Sequence, residues 1–173
     1  MTVLEIIHSK TASQVDEVVS RLRSAGAIRD ILTKKHQKTR LIKPLVNYDT
    51  AAMALSFVSA DNPYTYHHLR RDVSERVGAA GVDVEARYAV PSAHVTIARF
   101  VARDLWYGNG NVEEFVHLVD AINRRLQAEF WPNDNDDDDD DKKKTSAGEW
   151  YIGVEGMLEF VKGTSWYGEG ERV

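Results

Sequence analysis

Short segments of β-branched and apolar residues, several of them adjacent in pairs, alternate with helical segments along this 173-residue chain. Residues 2–7 open the chain as a strand, and a pair of strands is predicted at 38–49 and 51–60. A second pair is predicted at 82–90 and 93–101, and two further short strands follow the acidic segment described below. This order predicts a mixed α+β fold with two similar halves, and not the regular alternation of a doubly wound sheet.

Three segments have the apolar spacing of amphipathic helices. The first covers 11–27, with Thr11 or Ser13 as its N-cap and Gly26 at its end. The second covers 63–81. The third covers 111–130, and its apolar residues are spaced to lie on one helix face. That predicted stripe consists of Phe115, Leu118, Val119, Ile122 and Leu126.

The formal net charge of -5 is concentrated in one segment, at about 132–148. Seven aspartates (Asp134 and Asp136 to Asp141) are followed by three lysines, so this stretch contributes -4 and leaves the rest near -1. Like charges so close together repel one another, which predicts a surface insertion without regular structure. The rest of the chain has no basic excess, which argues against tight binding to long duplex nucleic acid but is compatible with a small anionic ligand.

Cysteine is absent, which excludes disulfides and thiolate metal sites. The sequence also has no apolar run near the roughly 20 residues that a membrane-spanning helix needs. We therefore expect a cytoplasmic protein without a membrane partner.

The strand predicted at 93–101 carries His94 and Thr96 two residues apart. Residues i and i+2 of a strand point to the same face, so the two side chains should project side by side, with Ala98 and Phe100 continuing that face. An imidazole is a natural general acid or base, and a neighbouring hydroxyl can donate a hydrogen bond to a phosphate oxygen. The alternative is a chance triplet in which the histidine has only a structural role.

The run "PSAHVTIARF" resembles the second signature motif of the two-histidine (2H) phosphoesterase superfamily, in which each lobe contributes one H-x-T or H-x-S motif on a strand. The longer stretch 67–100, with "SWYGEGERV" at the end of the chain, resembles fungal proteins described as RNA ligase/cyclic nucleotide phosphodiesterase-like. The resemblance implies one domain over 1–173. That domain would be a bilobal α+β fold with two antiparallel sheets, outer helices and a central cleft.

The same resemblance implies metal-independent hydrolysis of a cyclic phosphodiester without a cofactor. The candidate substrates are RNA 2′,3′-cyclic phosphate ends and ADP-ribose cyclic phosphate, so the expected partner is a small nucleotide or an RNA terminus, bound by a monomer. His94 would be one acid/base, and Thr96 and Thr2 would bind the phosphate. A noncatalytic domain that binds a nucleotide or RNA end, and a purely structural domain, remain alternatives.

The resemblance also bears on the start of the chain. Related sequences have a His-Met-Thr motif ahead of the run that matches "LEIIHSKT", which makes Thr2 the threonine of the first motif and places its histidine before Met1. We therefore expect this form to have reduced activity. His8 lies six residues after Thr2, about 20 Å along a strand, and is interpreted as a loop or capping histidine.

Two aromatic residues near the C-terminus are further candidates for the site. Trp166 and Tyr167 could stack on a nucleobase, an interaction worth about 1–3 kcal/mol per base. The alternative is an aromatic edge strand that closes the sheet.

Overall fold

A computed structural model describes residues 1–33, 38–60, 62–85, 93–101, 111–132, 148–152, 158–164 and 170–173. Within these residues the fold is α+β, as predicted. The helices are α1 (Ala12–Ser24), α2 (Ala27–Thr33), α3 (Tyr66–Ala79) and α4 (Asn111–Phe130). The strands are β1 (Thr39–Tyr48), β2 (Ala52–Ser59), β3 (Ala93–Arg99), β4 (Trp150–Ile152), β5 (Val161–Lys162) and β6 (Glu171–Arg172). The predicted acidic insertion lies almost entirely outside the described residues.

The main sheet has the strand order β3-β2-β1-β4, and β1, β2 and β3 pair antiparallel. A second, two-stranded antiparallel sheet joins β5 to β6. The turn between β1 and β2 is fixed by Asp49, whose carboxylate accepts hydrogen bonds from the backbone N–H groups of Ala51 (2.7 Å) and Ala52 (2.8 Å). These bonds favour the charged carboxylate and lower the pKa of Asp49.

Of the two predicted N-caps of helix α1, Thr11 is the one in the structure, because Thr11 and Gln14 form a capping box. The Gln14 side chain accepts from the Thr11 backbone N–H (3.0 Å), and the Thr11 hydroxyl accepts from the Gln14 N–H (3.3 Å). Gly26 ends this region with a φ of 73°, a conformation that glycine adopts without strain. Helix α2 was not predicted. The sequence feature that could have indicated α2 is the spacing of Ile28 and Ile31, which are three residues apart and both buried.

Helix α4 has the predicted bounds, but the predicted apolar stripe is partly wrong. Val119 is buried, whereas Leu118 is 58% exposed and Ile122 is 40% exposed. The half-buried Asn123 also faces the sheet, and its side-chain amide bonds both backbone groups of Val46. A polar residue therefore occupies a position that an apolar pattern does not reveal.

The predicted strand at 2–7 is absent, because this opening segment is neither strand nor helix. A strand needs a neighbouring backbone for its hydrogen bonds. Here the carbonyls of Thr2 and Val3 accept bonds from side chains of α3, and a single backbone bond, from the Glu85 N–H to the Ile6 carbonyl, does not make a strand. The β-branched composition of the segment reflects its partial burial and not sheet pairing.

The chain divides into two compact units. The first comprises Met1, Arg40–Asp61 and Ser92–Trp150 and contains most of the main sheet and α4; its buried residues include Val46, Phe57, Ala93 and Val119. The second comprises Thr2–Thr39, Asn62–Pro91 and Tyr151–Val173 and contains α1 to α3; its buried residues include Leu22, Ile31, Leu69 and Val77. In the described parts of the chain, every helix is too short or too polar to cross a bilayer.

Candidate functional site

The two residues of the predicted motif lie on β3, which among the described strands is at one end of the order in the main sheet. Cα pairing places His94 opposite Ser56 and Thr96 opposite Ala54 on β2. Since alternate residues of a strand share a face, His94 and Thr96 project from the same face of the sheet. His94 is half-buried and Thr96 is exposed, so both are placed where a ligand in solvent can reach them.

A β-bulge ends this polar run. Thr96 pairs with Ala54 and Ala98 pairs with Met53, so Ile97 is an extra residue on β3. Met53 and Ala54 are neighbours on β2 and point to opposite faces, which places Ala98 on the face opposite Thr96. The expectation that Ala98 and Phe100 continue the face of His94 is therefore wrong, because the bulge shifts the alternation by one residue.

The face that carries His94 and Thr96 continues across β2 and β1. The register joins His94 to Ser56 and Leu45 in one row, and Thr96 to Ala54 and Asn47 in the next. We call these six residues the HxT face: His94, Thr96, Ser56, Ala54, Leu45 and Asn47. Ser56 was missed by the sequence analysis; its only signal was a hydroxyl in the otherwise apolar part of β2, "ALSFV".

The opposite face of the sheet packs against α4. The Phe115 ring contacts Tyr48 edge-on (centroids 4.9 Å apart) and Phe100 (6.0 Å). The Asn123 side chain accepts from the Val46 N–H (2.8 Å) and donates to the Val46 carbonyl (3.0 Å). Helix α4 therefore packs against one face of the sheet, and the HxT face is the opposite one.

Thr2, the third candidate residue, belongs to the opening segment of the second unit and is exposed. The buried Tyr66 hydroxyl donates to the Thr2 carbonyl (2.8 Å), and the Arg70 side chain donates to the Val3 carbonyl (2.9 Å). Arg70 is only 7% exposed, and its guanidinium lies 4.5 Å from the Tyr66 ring centroid, a cation–π contact. The expected approach of His94 and Thr96 to Thr2 stays a prediction.

Tyr66 and Arg70 were also missed by the sequence analysis. They lie four residues apart on α3 and therefore on one face of that helix. Their spacing was the sequence feature that could have indicated a shared role on one side of α3. Their effect is to fix the opening segment, and with it Thr2, to a helix of the same unit.

The second unit contains a shallow groove of about 290 Å³ between α1 and the segment after α3. Its cations are neutralised locally, because Lys10 pairs with Glu85 (2.7 Å) and Arg21 pairs with Glu17 (3.4 Å). The Lys10 ammonium lowers the pKa of Glu85 by hydrogen bonding to the carboxylate. Neutralised charges of this kind do not attract a phosphate, so we do not assign the site to this groove.

Three other histidines in the described residues have local surroundings that do not involve the HxT face. His8 is exposed in the loop before α1, as expected, with Nδ1 3.3 Å from the Ser9 hydroxyl. His68 caps α3, since its Nδ1 accepts from the Thr65 backbone N–H at 3.1 Å. His117 is exposed beside Glu113.

Two of the remaining candidates, Trp166 and Tyr167, lie outside the described residues, and so does His36. Among the residues that are described, no group of three or more His, Asp or Glu side chains could hold a metal ion. The chain matched no model of a known protein family, no curated protein and no solved structure.

Proposed function

We propose that this protein acts on cyclic phosphodiesters by the two-histidine mechanism, with RNA 2′,3′-cyclic phosphate ends or ADP-ribose cyclic phosphate as substrates. The observation that carries the proposal is the pairing of His94 and Thr96 on one accessible face of β3, ahead of the bulge at Ile97. The bilobal architecture of the 2H superfamily is part of the same proposal.

In this reaction a water molecule attacks phosphorus, a new P–O bond forms, and one P–O bond to the ribose breaks. One group removes a proton from the water, and another gives a proton to the leaving ribose oxygen. His94 carries one of these transfers, and the Thr96 hydroxyl donates to a nonbridging phosphate oxygen. The resemblance assigns the other transfer to the histidine of the first motif and a second phosphate contact to Thr2.

The alternative is a domain that binds a nucleotide or an RNA end without hydrolysing it. It is favoured by one observation: the segment that carries Thr2 is not a strand, whereas the resemblance implies an H-x-T motif on a strand in each lobe. Under this alternative His94 and Thr96 contribute to affinity but not to turnover.

Turnover of a 2′,3′-cyclic nucleotide, measured with EDTA present, tests the proposal. We expect His94→Ala to reduce turnover by about 10²–10⁴-fold, the usual contribution of one general acid or base. His117→Ala is the matched control, because His117 is exposed on α4, and it should leave turnover unchanged. Equal turnover in the wild type and His94→Ala would refute the catalytic role. Binding of the nucleotide without turnover would select the noncatalytic alternative.

A further inference from the structure

Strand β2 places a serine directly beside the candidate histidine. Ser56 is the Cα partner of His94, and residues directly opposite in antiparallel strands share a face with Cβ atoms about 4.5–5.5 Å apart. Ser56 is half-buried, and its hydroxyl makes no side-chain hydrogen bond within the described residues. That hydroxyl is thus available to a ligand bound at His94.

Three polar side chains therefore surround one point of the HxT face. Thr96 is two residues from His94 along β3 and lies diagonally across from Ser56, where Cα atoms are about 7–8 Å apart. Ala54, opposite Thr96, is small and leaves room above the sheet between these groups. A phosphate offers several oxygens and fits such a triangle, because each hydroxyl can donate to one oxygen.

We propose that Ser56 is a third phosphate-binding residue, so that β2 and β3 alone hold the phosphate group of the substrate through His94, Thr96 and Ser56. This inference rests on the proposed function, since it concerns the same site. It goes further in one respect: phosphate binding does not require Thr2. The ligand class is a phosphate ester or cyclic phosphodiester, and inorganic phosphate is the simplest probe.

The binding test titrates the full chain with inorganic phosphate and follows the backbone amide resonances of β3. Ser56→Ala should weaken phosphate binding by about 10- to 100-fold, which is the loss of one hydrogen bond to a charged group. Ser56→Thr keeps the hydroxyl and suits a strand, so it should bind within about threefold of the wild type. Ser59→Ala is the matched control, because Ser59 lies three positions further along β2 and faces the other side.

Thermal unfolding of each variant shows whether it is folded. If Ser56→Ala does not fold, Ser56→Cys is measured in its place, since it keeps the size but has only a weak donor. Equal affinity for phosphate in the wild type and the variant lacking the hydroxyl would overturn the inference. Absence of phosphate binding by the wild type would overturn it as well.

The turnover assay separates this inference from the proposed function. If His94→Ala and Thr96→Val impair turnover but Ser56→Ala changes neither binding nor turnover, only the assignment of Ser56 fails. If phosphate binding depends on Ser56 while no cyclic phosphodiester is hydrolysed, the proposed hydrolysis fails and the phosphate site stands.

Discussion

The attachment of the opening segment to α3 can be weakened by removing one atom. Tyr66→Phe deletes the hydroxyl that donates to the Thr2 carbonyl at 2.8 Å but keeps the ring, which is fully buried. The contact of Arg70 with the ring should persist. One neutral hydrogen bond contributes about 0.5–1.5 kcal/mol net, so detachment of the segment should become roughly 2- to 13-fold more frequent.

Hydrogen exchange at a single amide reports this detachment. The Glu85 N–H donates to the Ile6 carbonyl at 2.8 Å, so its exchange depends on whether the opening segment is in place. In Tyr66→Phe its exchange should accelerate by the factor given above. The Ala60 N–H, which donates to the Arg40 carbonyl at 3.0 Å in the other unit, serves as an internal reference and should not change.

A matched variant lies two residues earlier in the chain. The Tyr64 hydroxyl donates to Asp72 at 2.9 Å, so Tyr64→Phe also loses one hydroxyl and one bond, but that bond does not involve the opening segment. We expect Glu85 exchange to be unaffected in Tyr64→Phe. Unchanged exchange in Tyr66→Phe, or equal acceleration in both variants, would refute the reasoning that this hydroxyl holds the segment.

Three further predictions concern stability. Asn123→Ala removes both hydrogen bonds to the Val46 backbone of β1 and should lower the free energy of unfolding, measured by urea titration, by about 1–3 kcal/mol. The control is Gln127→Ala at an exposed position of the same helix, which should change the free energy of unfolding by less than about 0.5 kcal/mol. Burial, and to a smaller extent the hydrogen bond to Asp72, raises the pKa of Tyr64 to about 12. The stability that the neutral Tyr64 hydroxyl contributes is therefore complete below about pH 10 and is lost as the pH rises towards 12. Tyr64→Phe should lack this loss of stability between about pH 10 and 12 when alkaline unfolding is measured. Gly148→Ala would place a Cβ 2.7 Å from Phe130, the last residue of α4, and should lower the melting temperature. The control is Gly163→Ala, because Gly163 also has a positive φ but open space around it, and its effect should be smaller. Equal shifts of the melting temperature would contradict the proposed clash.

The features that the sequence predicted correctly depend on local chemistry. Thr11 and Gln14 are three residues apart, and their capping box fixes the start of α1 without help from the rest of the fold. The bounds of α4 were likewise readable from its apolar spacing. His94 and Thr96 share a face because only one strand is involved.

The features that the sequence did not predict depend on partners distant in the chain. The extra residue at Ile97 exists only relative to the register with β2, which no pattern within β3 contains. The same register makes Ser56 the neighbour of His94. The apolar composition of residues 2–7 indicated partial burial correctly, but the segment is held by the α3 side chains of Tyr66 and Arg70 and by the Glu85 N–H, and it does not form a strand.

The bulge at Ile97 divides β3 into two parts, and the side chains that face a given side of the sheet are even-numbered in one part and odd-numbered in the other. Before Ile97, His94 and Thr96 project from one face of the sheet; after it, Phe100 projects from the other face and contacts Phe115 of α4. Regular pairing that kept Ile97 in line with β2 would put Phe100 on the face of His94, whereas deletion of Ile97 would remove the bulge and leave Phe100 on the side of α4. The bulge is therefore what allows His94 and Phe100, six residues apart, to project from opposite faces of the sheet.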